Sequence, residues 1–195
     1  MDYYLDGEKK FGLFASYFYY LIPKLFGIKK SYNFIVDDLA NSKAEKIIDI
    51  GTGTGDVSIL LAKKKRNINI YAIDPSKYMI NIAKSQAKNT NIVFKLGSSR
   101  YIPFKEKFDI IFSSFSFHCW AKKEESLIYL SKFLKQNGEI KIYELNKDSL
   151  MAKFLPTLTI SEKDIIKIVK KCNLKIKNIK KEKNIICVTI VKNNN

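Results

Sequence analysis

Short apolar runs, separated by turns and by amphipathic stretches, repeat along most of the chain. Ile47, Ile48 and Ile50 form a β-branched run of the kind that lies buried on both faces of a parallel sheet. Comparable runs predict strands at residues 68–73, 92–96, 108–115, 139–145, 175–179 and 185–191. Apolar positions at helical spacing predict helices at residues 31–41, 57–66, 80–87, 126–134 and 161–172. Strands that alternate with helices predict an α/β domain built from βαβ units.

Three glycines at every second position follow the first predicted strand, namely Gly51, Gly53 and Gly55. Such a turn lets the backbone approach a ligand closely and directs helix N-terminal amides towards it. The dinucleotide fingerprint G-x-G-x-x-G would need Gly or Ala at position 56. Residue 56 is Asp, whose carboxylate at the helix N-terminus would repel a pyrophosphate. A tight turn that binds no ligand is the alternative interpretation.

The segment from Ile47 to Asp56 resembles motif I of the class I S-adenosylmethionine-dependent methyltransferases. In that family the glycine loop curves under the methionine and ribose of the cofactor. The resemblance covers about residues 11–191 and implies S-adenosylmethionine as cofactor and S-adenosylhomocysteine as product. It also implies a single-domain, Rossmann-like sheet of seven strands, mostly parallel with one antiparallel strand, with helices on both faces. Two short segments, residues 15–17 and 102–104, look most like the small-molecule methyltransferases of ubiquinone and menaquinone biosynthesis.

Further candidates for cofactor binding lie at the ends of the later strands. Asp74 ends the second strand, where an acidic side chain can accept hydrogen bonds from both ribose hydroxyls. The resemblance implies that a bulky residue such as Met79 packs on adenine, although a plain core role is an equal alternative. The family usually has Gly-Asp after the third strand, whereas this chain has Gly97-Ser98, a weaker partner for adenine. The residues predicted to contact the cofactor are Tyr17, Asp49, Gly51, Thr52, Gly53, Gly55, Asp74, Pro75, Ser76, Met79, Gly97, Ser98, Ser99, Ser114 and Phe115.

The segment after the fourth strand, residues 117–120, holds the only histidine and the only tryptophan of the chain. The sulfonium of the implied cofactor makes its methyl group electrophilic, so the protein mainly has to align a nucleophile with it. A base is needed only if the acceptor must first lose a proton, and His118 is the candidate for that role. The alternative is a purely structural histidine. The chain lacks an Asn-Pro-Pro-Phe or Asp-Pro-Pro-Tyr motif after this strand, which argues against methylation of base amines.

Residues 1–45 are predicted to form an N-terminal aromatic helical cap, ahead of a core at residues 46–192 and a frayed tail at residues 193–195. Between Phe11 and Ile28 the only charged residue is Lys24. Pro23 and the many tyrosines nevertheless argue against a membrane-spanning helix, and the acidic start argues against a signal peptide. We expect this segment to cover the substrate pocket, with Tyr17 and Tyr20 facing a small, partly apolar acceptor.

The composition is that of a globular protein, but the net charge is +16 with a pI of about 9.6. Such a surface permits weak association with RNA or an anionic membrane. Only two residues are Arg, and the Lys, Asn and Ile content indicates a compositional bias, so no sequence-specific nucleic acid is expected. Three scattered cysteines favour a reducing, cytoplasmic location without a metal site.

The sequence thus predicts a methyltransferase acting on a small molecule. The alternatives are an RNA or protein methyltransferase and a catalytically silent relative, and the oligomeric state is not predicted.

Overall fold

An eight-stranded sheet forms the centre of the described part of the chain. The structure is a computed structural model that describes residues 29–147, 149, 152 and 159–193. The helices are α1 (Lys29–Ala40), α2 (Asp56–Lys64), α3 (Lys77–Gln86), α4 (Lys123–Ser131) and α5 (Glu162–Lys171). The strands are β1 (Lys46–Ile50), β2 (Asn69–Asp74), β3 (Val93–Leu96), β4 (Phe108–Ser114), β5 (Leu134–Asn146), β6 (Thr159–Ile160), β7 (Leu174–Glu182) and β8 (Ile185–Lys192).

The strand order is β3-β2-β1-β4-β5-β8-β7, with the two-residue β6 paired to β5. Strands β1 to β5 are parallel to their neighbours among themselves, while β8 runs antiparallel to both β5 and β7. The predicted α/β sheet with one reversed strand is therefore confirmed, and β6 is an addition to it. The strand order reverses between β1 and β4, and in such sheets ligands bind outside the carboxyl ends of the strands at that point.

The core lies on both faces of the sheet. Ile47 and Ile48 of β1 are both fully buried, yet they pack into different clusters because successive side chains of a strand point to opposite faces. One cluster includes residues of α4 and α5, and the other includes residues of α1 and α2. This arrangement explains why the strand sequences are continuously apolar rather than alternating.

Helix α1 is attached to the sheet by a partly buried charged network as well as by apolar packing. The Asp38 carboxylate accepts hydrogen bonds from Lys141 Nζ at 2.6 Å, Tyr143 Oη at 2.7 Å and Lys180 Nζ at 2.7 Å. Burial alone would raise the pKa of Asp38, but these hydrogen bonds lower it to about 2. The predicted cap thus has its last helix fixed on the sheet, while its first 28 residues lie outside the described part of the chain.

Both ends of α4 and the start of β5 differ from the sequence prediction. Helix α4 runs from Lys123 to Ser131 instead of residues 126–134, and β5 begins at Leu134 instead of Glu139. Leu134 pairs with Phe108 of β4 before an irregularity in the register, so the loop residues join the strand. Gly138 makes this possible, because a Cβ there would lie 2.9 Å from the Phe108 carbonyl oxygen. Across the described ranges, no helix is long and apolar enough to span a membrane.

Candidate functional site

The glycine loop between β1 and α2 lies at the carboxyl edge of the sheet, where the strand order reverses. The amides of Gly51 and Thr52 both donate to the Ile73 carbonyl oxygen, at 2.9 and 3.0 Å. The Gly53 amide donates to Asp74 Oδ2 at 2.9 Å, and the Ser76 amide donates to Asp74 Oδ1 at 2.8 Å. Asp74 therefore ties the glycine loop to the loop that follows β2.

The first two glycines of the loop face different surroundings, although both have a positive φ. A Cβ added to Gly51 would lie 2.3 Å from Ser116 Oγ, which itself donates to the Ile50 carbonyl oxygen at 2.9 Å. A Cβ added to Gly53, at φ +56°, would meet no described atom within 4 Å. Gly51 is thus required for close packing of the chain, whereas Gly53 faces open space that a ligand can fill.

Asp49 of β1 is a buried carboxylate beneath this loop, with 1% of its surface exposed. Its Oδ2 atom accepts from Thr52 Oγ1 at 2.8 Å and from Ser58 Oγ at 2.7 Å. No described group donates to its buried Oδ1 atom. Burial raises the pKa of Asp49 to about 7, the two hydroxyl groups oppose this, and the charge of Asp74 adds to it. A buried acceptor without a donor fits a ligand that brings a positive charge or an N–H group.

The residues after β2 and β3 form the neighbouring part of the same edge. Ser76 is fully buried and caps α3 by accepting from the Met79 amide at 3.4 Å, and Met79 is buried beside it. The Gly97 amide donates to the Asp74 carbonyl oxygen at 3.2 Å. Ser98 Oγ accepts from the Arg100 amide at 3.3 Å. The structure thus brings together the loops predicted from residues 74–79 and 97–98.

Ser99, which was predicted to contact the cofactor, has a side chain that contacts a different element. Its hydroxyl lies 2.8 Å from Ser126 Oγ of α4, and both side chains are buried. At the end of β4, Ser114 is half-buried and Phe115 has a φ of +52°, a conformation that costs a non-glycine residue about 1–2 kcal/mol. The Phe115 ring lies 6.1 Å from that of Tyr32 in α1. Tyr17, which was also predicted to bind cofactor, lies outside the described residues.

His118 follows β4 in a short 3₁₀ helix, Phe117–Cys119, and pairs with Glu144 of β5. The His118 amide donates to Glu144 Oε1 at 3.0 Å, and His118 Nδ1 lies 3.0 Å from Glu144 Oε2. The side chains are 5% and 0% exposed, and His118 Nε2 is buried with no hydrogen-bond partner in the described structure. Burial alone would lower the pKa of His118, but Cys119 and Glu144 raise it to about 10. The predicted role as a base requires neutral imidazole, whereas this pairing favours imidazolium at neutral pH.

Glu144 had no role in the sequence prediction, although the predicted strand 139–145 contains it. Asp74 was predicted as a site residue because it is an acidic residue at the end of an apolar strand. Glu144 has the same position in its strand, so the same rule could have identified it. In the described ranges, no group of three or more His, Cys, Asp or Glu side chains is arranged to hold a metal ion.

Comparison with known proteins agrees with this geometry. A family model described as "Methyltransferase domain" matches residues 41–193. The chain is 31% identical to the demethylmenaquinone methyltransferase of Thermotoga maritima, over 57% of this chain and 48% of that protein. It is 30% identical to the ubiquinone/menaquinone biosynthesis C-methyltransferase UbiE of Wigglesworthia glossinidia brevipalpis, over 68% of this chain and 57% of that protein. The chain thus spans about half the length of these curated relatives.

The fold is also similar to that of a solved methyltransferase structure. A SAM-dependent methyltransferase structure from Aquifex aeolicus superposes with a TM-score of 0.77 at 20% identity, covering 93% of this chain and 98% of that one. The family model covers most of this chain, and its range begins before β1 and ends after β8. The glycine loop, Asp74 and the reversed strand β8 all lie within it. The chain belongs to the class I S-adenosylmethionine-dependent methyltransferases.

Proposed function

We propose that this chain transfers a methyl group from S-adenosylmethionine to a small, partly apolar acceptor. The observation that carries the proposal is the open space at Gly53, directly beside the buried carboxylate of Asp74. The loop has an open position at one glycine, next to a carboxylate. This arrangement suits a ligand that lies against the loop backbone and carries hydroxyl groups. S-adenosylmethionine has these parts in its ribose and methionine.

The residues present fit the cofactor at four places. Gly53 would lie under its methionine and ribose, and Asp74 would accept hydrogen bonds from the ribose hydroxyls through the same carboxylate that holds the loop. Met79 and the residues at Gly97 would border the adenine. The unpartnered Oδ1 atom of Asp49 would accept from the ammonium group.

When bound, S-adenosylmethionine supplies a methyl group that is electrophilic because it is attached to a sulfonium. The protein's own contribution is to align the acceptor with that group and to exclude water. At the end of β4, the half-buried Phe115 ring lies 6.1 Å from the ring of Tyr32 in α1. Such surroundings favour an acceptor with apolar or aromatic parts. The curated relatives named for quinone biosynthesis support the same substrate class.

The N-terminal aromatic segment, residues 1–28, is proposed to cover the acceptor. Helix α1 follows it directly and is held on the sheet by Asp38, so the segment starts from a fixed point near Tyr32 and Phe115. A chain lacking residues 1–22 is expected to fold and to retain some affinity for the cofactor but to lose methyl transfer. Full activity of the shortened chain would remove the support for this covering role.

A labelled-methyl assay tests the proposed function. The full chain is incubated with S-adenosylmethionine that carries a tritiated methyl group, and small-molecule, RNA and protein fractions of an extract are offered separately. We expect label to enter the small-molecule fraction. Label in the RNA or protein fraction alone would refute the substrate class, and label in none of them would favour a catalytically silent relative.

A further inference from the structure

A cavity of about 560 Å³ lies at the amino ends of β1 and β4, and we call it the amino-edge cavity. Residues 41–44, just before β1, and Asp109, the second residue of β4, are part of its lining. The glycine loop follows the carboxyl end of β1, so the two places lie at opposite edges of the parallel strands. No residue that we assign to the cofactor lines this cavity. Its volume is in the range of sites that bind small molecules.

The lining of the amino-edge cavity is almost entirely polar. Of its fourteen residues, only Ala44 and Ile110 are apolar. Asn, Ser and Thr residues of the lining contribute amide and hydroxyl groups, which both donate and accept hydrogen bonds. Such a lining suits a hydroxyl-rich compound, and it offers little contact for an acyl chain or an aromatic ring.

One carboxylate at this cavity serves two ammonium groups. Asp38 accepts from Lys141 Nζ at 2.6 Å and from Lys180 Nζ at 2.7 Å, and both lysines are part of the lining. An ammonium group has three N–H donors, and among the described residues Lys141 Nζ uses one of them. Since Lys141 is only 7% exposed, little bulk water reaches its remaining donors. A group bound in the cavity can supply the acceptors that they lack.

The other charges of the lining leave a second ammonium group unbalanced. Glu139 pairs with Lys177 at 2.6 Å, and Asp109 pairs with Lys135, which is outside the lining, at 2.8 Å. Lys43 is exposed and has no ion-pair partner among the residues that the structure describes. Together with the shared carboxylate of α1, this gives the cavity an excess of two positive charges. A phosphate monoester carries about −1.5 to −2 charges at neutral pH, which matches this excess.

We propose that the amino-edge cavity is a second binding site, and that its ligand is a small, hydroxyl-rich phosphate monoester such as a sugar phosphate. The phosphate group binds to Lys141 and Lys180, since a lysine ammonium binds phosphate as a point charge. The amide and hydroxyl groups of the lining bind the hydroxyl groups of the ligand. The site does not depend on the cofactor edge, because the two share no residue.

Calorimetric titration of the full chain tests the ligand class. The probes are ribose 5-phosphate, glucose 6-phosphate and glycerol 3-phosphate, each compared with the same compound without its phosphate. We expect at least one phosphate ester to bind with a dissociation constant below about 1 mM, and its uncharged partner to give no heat. Absence of binding by all three esters, or equal binding of the uncharged compounds, overturns the proposal.

Amide spectra of the ¹⁵N-labelled full chain locate the ligand. The bound ester should shift the signals of Ser42, Ala44 and Thr189, which line the cavity, and should leave those of Gly53 and Gly55 unchanged. Saturation with S-adenosylhomocysteine should not alter the affinity for the ester. Shifts at the glycine loop instead, or displacement of the ester by S-adenosylhomocysteine, would place the ester at the cofactor edge and overturn the second site.

Two variants of the lining should change the affinity in opposite directions. Lys180→Gln removes one cation and keeps the pair of Asp38 with Lys141, so it should fold and bind the ester about tenfold more weakly. Glu139→Gln removes a negative charge and releases Lys177 from its ion pair, so it should bind the ester more tightly. An unchanged affinity in Lys180→Gln, or a weaker one in Glu139→Gln, would contradict the proposed charge balance.

Lys167→Gln is the matched control, because it removes the same charge from an exposed position of α5, on the other face of the sheet from α1. It should leave the affinity within about twofold of the wild type, since distant exposed charges are screened by salt. If it weakens binding as much as Lys180→Gln, the general positive charge of the surface binds the ester and the proposal fails. Vesicles of phosphatidylglycerol should not compete with the ester, and competition would assign the site to a lipid headgroup and overturn the free ligand.

Discussion

Replacing Gly53 with alanine is expected to abolish cofactor binding while leaving the fold almost intact. The backbone at Gly53 has a φ of +56°, where an alanine costs about 1–2 kcal/mol. For a chain of this size that lowers the melting temperature by roughly 2–8 °C. The new methyl group meets no described atom within 4 Å, so no further destabilisation is expected from packing. It would instead occupy space that we assign to S-adenosylmethionine.

Gly51→Ala is the matched control, because it makes the same change two residues earlier. Its methyl group would lie 2.3 Å from Ser116 Oγ, so Ser116 must move away from the Ile50 carbonyl oxygen and from Ser113. With the strain at φ +75°, the cost is about 3–4 kcal/mol, taking about 1 kcal/mol for each lost hydrogen bond. The double variant with Ser116→Gly relieves the clash and should recover part of this loss.

Urea unfolding and calorimetric titration with S-adenosylhomocysteine measure the two effects separately. Gly53→Ala should lose more than about 100-fold in affinity, or about 2.8 kcal/mol, while its unfolding free energy falls by only about 1–2 kcal/mol. Gly51→Ala should mainly lose stability. If Gly53→Ala binds within twofold of the wild type, the open space at Gly53 is not the cofactor site. A large stability loss in Gly53→Ala would mean that the loop is packed differently.

Three further substitutions give distinct results. Asp74→Asn should weaken cofactor binding by about 1.5–3 kcal/mol through loss of charged hydrogen bonds, and an unchanged calorimetric affinity in a folded variant would count against the ribose role. Asp49 has a pKa raised from 3.8 to about 7, so its stabilising contribution is present below about pH 4 and lost as the pH rises through 7. The cofactor-free wild type should therefore lose up to about 4 kcal/mol relative to Asp49→Asn between those values, and parallel pH profiles in urea unfolding would contradict this. Asp38→Asn leaves the buried Lys141 without its anionic partner and should lower the unfolding free energy by about 3–5 kcal/mol, whereas a change below 1 kcal/mol would show that the network does not hold α1.

Strands β1, β2, β4 and β8 were predictable because each is a short, mostly apolar run, and burial on both faces leaves that pattern visible in the sequence. The reversed strand β8 was anticipated from the family resemblance and the short turn before it. The start of β5 was not predicted, because residues 134–138 are mostly polar and join the sheet through contacts with Phe108, far earlier in the chain.

The site was predictable where a residue's position along its own strand decides its role, as for Asp74 and the glycine loop. Distant contacts could not be inferred in this way. The difference between Gly51 and Gly53 depends on Ser116, and His118 pairs with Glu144, which is 26 residues away. The contact between the hydroxyl groups of Ser99 and Ser126 of α4 likewise joins residues 27 positions apart. Such pairings are set by the packing of whole elements.

The cofactor is the claim on which the proposed function depends, and one calorimetric titration measures it. The full wild-type chain is titrated with S-adenosylmethionine, first alone and then in the presence of excess NAD. We predict one binding site with a dissociation constant in the micromolar range, about −8 kcal/mol at 1 μM, that NAD does not affect. Absence of heat with S-adenosylmethionine, or tighter binding of NAD, would contradict the assignment of the glycine loop to this cofactor.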